Sequence, residues 1–260
     1  MVTYLERYRH GDREQVWAEL TAMGSAIDTE PVYADALAVA STTMSRAGYN
    51  FFSIRHKLVA SGYQFSSCSS IGTVLLPNTK TKALIENIEH SYGLLPLSVK
   101  AWFEIVGEVN LQGSHPDWKV RASCEPDWDY TQVVDSRISV AVEPLNLLLA
   151  RSAHHFPVEW IDYCSGEVYP EHSFDLTIGD GRRGDDSLTV IVGKMKMDSC
   201  LLYGPPLGRF DKYRMEPIET FVQYLRRSFE WGGFPGFAKV PEELRPTEML
   251  NYLREGLLPI

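Results

Sequence analysis

Cysteine is scarce in this chain, which has only four cysteines among its 260 residues. They lie far apart in the sequence, at Cys68, Cys124, Cys164 and Cys200, and no two of them form a close pair. The short spacings that typify zinc sites are therefore missing, and a chain of this length can build a core without disulfides. We expect these cysteines to be buried, reduced thiols.

Long apolar runs are also missing. No stretch approaches the ~20 apolar residues that a membrane-spanning helix needs. The first residues, MVTYLERYRHGDRE, are rich in charge and contain no apolar signal core. The sequence therefore predicts a cytoplasmic protein that has no membrane partner.

Basic residues are outnumbered by acidic ones. The chain has 25 Lys and Arg against 34 Asp and Glu, which gives a formal net charge of -9. Such a charge repels phosphate backbones, so no nucleic-acid partner is expected. An acidic surface favours rapid encounter with a basic protein. Mild acidity can also serve only to keep a protein soluble, and that alternative stays open.

Recognisable catalytic motifs are missing as well. No G-x-S-x-G elbow occurs, and Cys68 has no base near it in the sequence. Gly179, Gly181 and Gly184 have the G-x-G-x-x-G spacing of a dinucleotide site, but the following DSLTVIV alternates like a strand and does not open a helix. A hairpin turn explains these glycines better, and we expect no cofactor.

Possible metal ligands fall into two groups, and neither has a recognised spacing. The acidic group misses the pattern of a calcium-binding EF-hand loop. In the second group, two adjacent histidines would point to opposite faces of a strand, and the remaining gaps are wide. We expect no metal site. The residues are Asp180, Asp185 and Asp186 in the first group, and His154, His155, Cys164 and His172 in the second.

The first third of the chain has helical periodicity. Asp12 and Gln15 have the separation of a capping box, which predicts a helix that ends near Gly24. Two more amphipathic segments follow and are predicted to end at Gly48 and Gly62. The links between them are short, so neighbouring helices should pack antiparallel. We predict a small all-helical region over residues 1–65, with a soft boundary near residues 65–80.

The middle of the chain has a period of two instead. The segments ISVAV, VEWIDY, SFDLTI and SLTVIV alternate between apolar and polar residues, which is typical of strands. We predict an antiparallel sheet over residues 134–193, with a hairpin turn between Gly179 and Asp186. PIETFVQYLRRSF and PTEMLNYLREG then have helical periodicity, with Pro217 in the first turn of the former.

These patterns predict the α+β class, with an antiparallel β-sheet, flanking helices and the helical region in front of them. We predict one α+β domain over residues 80–235. A C-terminal helix within residues 236–260 is expected to pack on that domain.

The strongest pattern in the chain is LPLSVKAWFEIVGEVNLQGSHPDW, residues 95–118. Leu95 precedes a proline and therefore avoids the helical region of backbone space. Four large apolar residues then recur at i, i+3, i+4 and i+7, and Gly107 follows them as a helix terminator. The segment predicts a helix, a glycine turn and a strand, with the four apolar side chains in the core. Those four are Val99, Trp102, Phe103 and Val106.

This order of elements resembles the SUKH superfamily, the SMI1/KNR4-like domains. The resemblance rests on Leu95 and Pro96 before the helix, on Trp102 and Phe103 within it, and on Gly107 at its end. It extends over residues 82–230, where an acidic-proline-leucine step at residues 143–145 and a closing amphipathic helix at residues 221–229 also match. The resemblance implies a binding fold, often that of a bacterial immunity protein against a toxin and in other members that of a regulatory scaffold. Neither role needs a catalytic residue.

Two short segments, HPDW and EPDWDY, place aromatic rings beside carboxylates. Tryptophan and tyrosine are favoured anchors at protein interfaces, and aspartates around them suit a basic partner. The alternative is that both tryptophans turn inward and cover the sheet, because tryptophan is usually well buried. The candidate partner-binding residues are Asp117, Trp118, Asp127, Trp128, Asp129 and Tyr130.

The sequence thus predicts a non-enzymatic, acidic protein-binding domain that blocks a basic partner such as a toxin, in immunity or defence. A hydrolase-type enzyme that uses histidine and aspartate residues is the main alternative. A regulatory scaffold, with the helical first third as a second docking face, is another.

Overall fold

The protein combines helices with antiparallel strands, which agrees with the predicted α+β class at this coarse level. The computed structural model describes residues 2–65, 73–111, 113–118, 141–142, 160–161, 168–169, 174–178, 188–198, 200–203 and 217–260. Within these ranges no helix is both long enough and apolar enough to cross a membrane.

Helices lie at both ends of the described chain. They are α1 (Tyr4–Arg9), α2 (Arg13–Ala22), α3 (Val32–Ala60), α4 (Thr81–Tyr92), α5 (Leu97–Ile105), α6 (Phe221–Glu230) and α7 (Thr247–Arg254). Short 3-10 helices lie at Gly24–Asp28, Pro235–Lys239 and Glu242–Leu244.

The strands pair antiparallel throughout the described residues. They are β1 (Gln64–Phe65), β2 (Thr73–Leu75), β3 (Glu108–Asn110), β4 (Gly113–Ser114), β5 (Ala141–Val142), β6 (Trp160–Ile161), β7 (Val168–Tyr169), β8 (Phe174–Ile178), β9 (Leu188–Val192), β10 (Cys200–Tyr203) and β11 (Pro217–Thr220). A four-stranded sheet has the order β11-β10-β9-β8, and a three-stranded sheet has the order β2-β3-β5. β1 pairs with β4, and β6 pairs with β7.

The strands β8 and β9 confirm the hairpin predicted around the glycine-rich loop. Their register runs from Phe174 opposite Val192 to Ile178 opposite Leu188. The chain therefore reverses between Ile178 and Leu188, and the turn residues themselves lie outside the described ranges. Because Leu188–Val192 is a strand, the helix that a dinucleotide fingerprint needs at this place is replaced by a sheet ladder.

Helix α3 corrects one prediction, since it does not end at Gly48 but continues for 29 residues from Val32 to Ala60. Gly48 is a buried residue of this helix, and a Cβ placed on it would lie 3.7 Å from Val106 Cγ2, an ordinary contact. The glycine therefore belongs to the packing side of α3, where α5 approaches. Gly62, with a φ of 83°, follows the end of the helix as predicted.

Two helix starts also differ from the sequence-based prediction. Asp12 precedes α2 as expected, but its side chain forms no capping bond and accepts hydrogen bonds from Arg7 instead. Pro217 lies in strand β11 and not in the first turn of α6. That helix begins after Thr220, whose hydroxyl accepts from the Gln223 N–H in a capping box.

The predicted helix-glycine-strand unit is confirmed. The four side chains at helical spacing on α5 are all buried, and Gly107 has a positive φ of 83° between α5 and β3. Trp102 Nε1 donates a 2.9 Å hydrogen bond to the Gly107 carbonyl, so the indole fixes the turn that it precedes. The buried aromatic ring thereby satisfies its one polar atom.

The core joins the helical first third to the rest of the chain. Trp102 on α5 makes edge contacts with Phe51 on α3 and with Phe221 on α6. Phe51 also packs against Phe229, with ring centroids 4.8 Å apart. Residues 1–65 and the predicted α+β region therefore share one hydrophobic core.

The C-terminal residues lie along α3 as well as on α6. Asn50 exchanges two hydrogen bonds with the Leu258 main chain, at 2.8 and 2.7 Å. Lys57 Nζ donates to the Tyr252 and Glu255 carbonyls. Arg226 on α6 donates to the Ile260 carbonyl at 2.9 Å. The last helix and the residues after it are thus joined to α3 and α6 by these polar bonds, and Leu250 and Leu253 of that helix are buried in the core.

Candidate functional site

The HPDW segment forms a tight turn whose hydrogen bonds are satisfied internally. The Trp118 N–H donates to the His115 carbonyl at 3.1 Å, which closes the turn. His115 Nδ1 accepts from the Asp117 N–H at 3.2 Å, and His115 Nε2 lies 3.0 Å from the Ser61 carbonyl. In this geometry Nδ1 acts as an acceptor and Nε2 as a donor.

The ring of Trp118 turns inward and is 3% exposed. It stacks on His115 and contacts Tyr63, Phe234 and Phe237, with ring centroids 5.2 to 5.6 Å apart. The prediction that Trp118 contacts a partner is therefore corrected, because the ring has no accessible face. Trp118 attaches the turn to the aromatic cluster. This is the inward orientation that the sequence analysis gave as the alternative for this ring.

The Asp117 side chain is 88% exposed, and its Oδ2 lies 3.9 Å from His115 Nδ1. Its neighbours His115 and Trp118 are both buried, so the carboxylate stands on a backbone that is fixed on both sides. The remaining predicted contacts lie outside the described residues; they are Asp127, Trp128, Asp129 and Tyr130.

More exposed carboxylates follow Phe237, a residue of the same aromatic cluster, in the sequence. Trp118 packs on Phe237 in the 3-10 helix Pro235–Lys239, and the next 3-10 helix carries Glu242 and Glu243 on exposed positions. Leu244 beside them is also exposed. Both segments therefore lie next in the sequence to rings of the same aromatic cluster. We call these exposed residues the acidic surface, defined by Asp117, Glu242, Glu243 and Leu244.

His115 is not placed to act as a general base. His115 is buried, and both of its ring nitrogens are used by main-chain groups, so it has no free nitrogen with which to take a proton from a substrate. In the part of the chain that the structure describes, no three potential metal ligands come together. The histidine and cysteine group at residues 154–172 lies outside those ranges.

One buried polar cluster could not be predicted from the sequence. Asp198 is 2% exposed, accepts a 2.6 Å hydrogen bond from Ser98 Oγ, and accepts the Val222 N–H at 3.1 Å. Its carboxylate lies at the start of α6, where the helix dipole stabilises a negative charge. The partners are 100 and 24 residues away in the sequence, so no local spacing could reveal the cluster. It connects α5, the 193–198 segment and α6.

Comparisons with protein-family models, with curated proteins and with solved structures found no match for this chain.

Proposed function

We propose that this chain is a non-enzymatic binding protein whose acidic surface docks on a basic protein partner. Asp117 is the observation that carries the proposal, because its side chain is 88% exposed on a turn anchored by two buried rings. A carboxylate on a fixed backbone loses little entropy when it binds a cation. Glu242 and Glu243 are two further exposed carboxylates, on the segment that follows Phe237 of the same aromatic cluster.

The proposal includes a SUKH-like organisation of the α+β part. The unit of α5, Gly107 and β3, and the closing helix α6, support it. In that organisation the partner is a toxin or another basic, defence-related protein, and the chain inhibits it by covering its surface. The place of action is the cytoplasm, as the sequence predicts, and fractionation of the native host tests it.

The experiment begins with a pull-down from the native host and continues with binding kinetics at two salt concentrations. Rim carboxylates act mainly on the association rate, so Asp117→Asn combined with Glu243→Gln should slow association. The deficit should shrink at high salt, because ions screen exposed charges. Asp28→Asn combined with Glu30→Gln is the matched control, since it removes the same two charges from exposed carboxylates outside the acidic surface.

Trp128 remains the proposed anchor of the interface. Trp128→Ala should weaken binding by roughly 2 kcal/mol or more, which is a typical hot-spot loss. Trp118→Phe should leave the affinity of the folded protein unchanged, since that ring packs inside. Unchanged association by the Asp117 and Glu243 double variant would remove the acidic surface from consideration.

A further inference from the structure

Three arginines from three helices lie near the buried side chain of Tyr8. Arg13 on α2 and Arg46 on α3 place Cζ 5.8 Å and 5.3 Å from the Tyr8 ring centroid. Arg226 on α6 adds a third charge that acts on the Tyr8 hydroxyl. Tyr8 itself belongs to α1 and is completely buried. Residues of α1, α2, α3 and α6 therefore lie around the Tyr8 side chain.

This cluster contains buried hydrogen-bond donors that have no acceptor. Among the described residues, Tyr8 Oη, Arg13 Nε and Arg226 Nη2 are shielded from solvent and form no hydrogen bond. Thr43 Oγ1 faces Tyr8, but it already accepts from Trp17 Nε1 and donates to the Val39 carbonyl, and it forms no hydrogen bond of normal geometry with Tyr8. A buried donor without an acceptor costs about 1–3 kcal/mol.

Neighbouring groups satisfy only part of the positive charge. Arg46 and Arg226 each donate one hydrogen bond to a main-chain carbonyl, that of Pro259 and that of Ile260. Glu14 and Asp198 lie near enough to Arg226 to raise its pKa, but burial lowers that pKa more. A guanidinium has five N–H donors, so one hydrogen bond to a carbonyl does not satisfy the whole group.

We propose that Tyr8, Arg13, Arg46 and Arg226 form a binding site for a tetrahedral oxyanion of the phosphate class. A phosphate group can accept hydrogen bonds from the three unpaired donors. Its negative charge also balances the positive charge of the arginines, which a water molecule cannot do. Guanidinium groups match phosphate oxygens in charge and geometry.

This anion site is separate from the acidic surface. Arg46 lies in the middle of α3, whereas His115 contacts Ser61 just beyond its end. Fifteen residues of helix correspond to about 22 Å. The site would therefore bind its ligand independently of a protein partner on the acidic surface, and its test does not depend on that partner.

The test uses the full chain and inorganic phosphate as the probe. Calorimetric titration and thermal unfolding are measured in phosphate, in acetate and in sodium chloride at equal ionic strength. We expect phosphate to bind and to raise the unfolding temperature more than either other salt does, since a ligand of the folded state stabilises it. An equal effect of all three salts, or of phosphate and acetate, would overturn the assignment to a tetrahedral anion.

Two variants and a matched control locate the site. Arg13→Gln should weaken phosphate binding about tenfold or more, whereas Arg9→Gln, which removes the same charge from an exposed position on α1, should stay within about twofold. Equal losses in both variants would mean a diffuse charge effect and would contradict the site.

The Tyr8→Phe variant distinguishes a role of the hydroxyl in anion binding from a role in the stability of the fold. In phosphate-free buffer this variant should unfold at the same temperature as the parent or higher, because the hydroxyl it removes is unpaired. It should also bind phosphate more weakly. A lower unfolding temperature without phosphate, or unchanged phosphate affinity, would show that the hydroxyl does not serve the anion.

Discussion

Phe51 of α3 and Trp102 of α5 meet edge to face, with ring centroids 5.7 Å apart and planes at 85°. Both rings are completely buried, and the pair joins the helical first third to the helix-glycine-strand unit. Edge-to-face pairs add about 0.5–1.5 kcal/mol beyond the area they bury. The two parts of the chain should therefore unfold together.

Adjacent phenylalanines on α3 give a matched test of that joint core. Phe51→Ala should lower the free energy of unfolding by about 3–5 kcal/mol, because truncating a buried aromatic ring leaves a cavity. Phe52→Ala should cost less than about 1 kcal/mol, since that ring faces solvent. Denaturant unfolding followed by far-ultraviolet circular dichroism measures both. Two separate transitions in the parent protein would contradict a shared core.

Gly48 provides a test of the uninterrupted helix α3. Gly48→Ala should stabilise the protein by about 0.5–1 kcal/mol, because alanine favours a helix interior and the added Cβ meets Val106 at an ordinary distance. Gly107→Ala is the contrasting variant and should destabilise, since its φ of 83° disfavours a side chain. If thermal unfolding showed a loss at Gly48 as large as that at Gly107, α3 would have to end where the sequence predicted.

The capping box before α6 predicts that the Thr220 hydroxyl contributes to the free energy of unfolding. Thr220→Ala should cost about 1 kcal/mol, because the Gln223 N–H loses the acceptor that Thr220 provides. Thr220→Ser keeps a hydroxyl at the same place and should retain most of the stability. Urea titration of the three proteins measures the effect, and equal losses in both variants would assign it to the methyl group instead of the cap.

Glu19 predicts a pH dependence of stability. Hydrogen bonds from Arg7, and then from Gln15, lower the pKa of Glu19 from its ordinary 4.5 to about 2. The folded protein therefore holds the deprotonated form more tightly than the unfolded chain does. The resulting stability is complete above pH 4.5 and disappears as the pH falls towards about 2.

The measurement compares the parent protein with Glu19→Gln from neutral pH down to about 2. The parent should be the more stable protein at neutral pH, and the difference should shrink in acid. In an Arg7→Gln background the pH dependence of that difference should become smaller, because Arg7 is the largest cause and only the hydrogen bond from Gln15 remains. A gap between parent and Glu19→Gln that stays constant over the whole range would contradict the role of the ion pair.

Local periodicity was sufficient to predict several elements. Val99, Trp102, Phe103 and Val106 recur at helical spacing because one face of α5 must be buried, and all four are buried. Gly107 and Gly62 ended helices as predicted, since each has a positive φ that most residues avoid. The β8–β9 hairpin also followed from alternation and a glycine-rich loop.

Tertiary contacts decided the features that sequence spacing left open. Gly48 does not end α3 but lies inside it, on the side that faces Val106, and a glycine inside a helix cannot be told from a terminating glycine by the spacing of its neighbours. Trp118 could have faced a partner or the core, and the aromatic cluster of Tyr63, Phe234 and Phe237 drew it inward. The hydrophobic effect favours burial of an apolar ring but does not specify which residues bury it. Only the arrangement of the neighbouring elements could therefore decide whether Trp118 faces the core or a partner.

The sequence by itself determined the main periodic elements, the acidic balance and the helix-glycine-strand unit, because each depends on residues close together in the chain. Only the tertiary structure brought together Tyr8, Arg13, Arg46 and Arg226, which lie on four different helices. It likewise placed Asp198 between α5 and α6. Such clusters depend on how distant helices pack, and pairwise spacing along the chain carries no record of that packing.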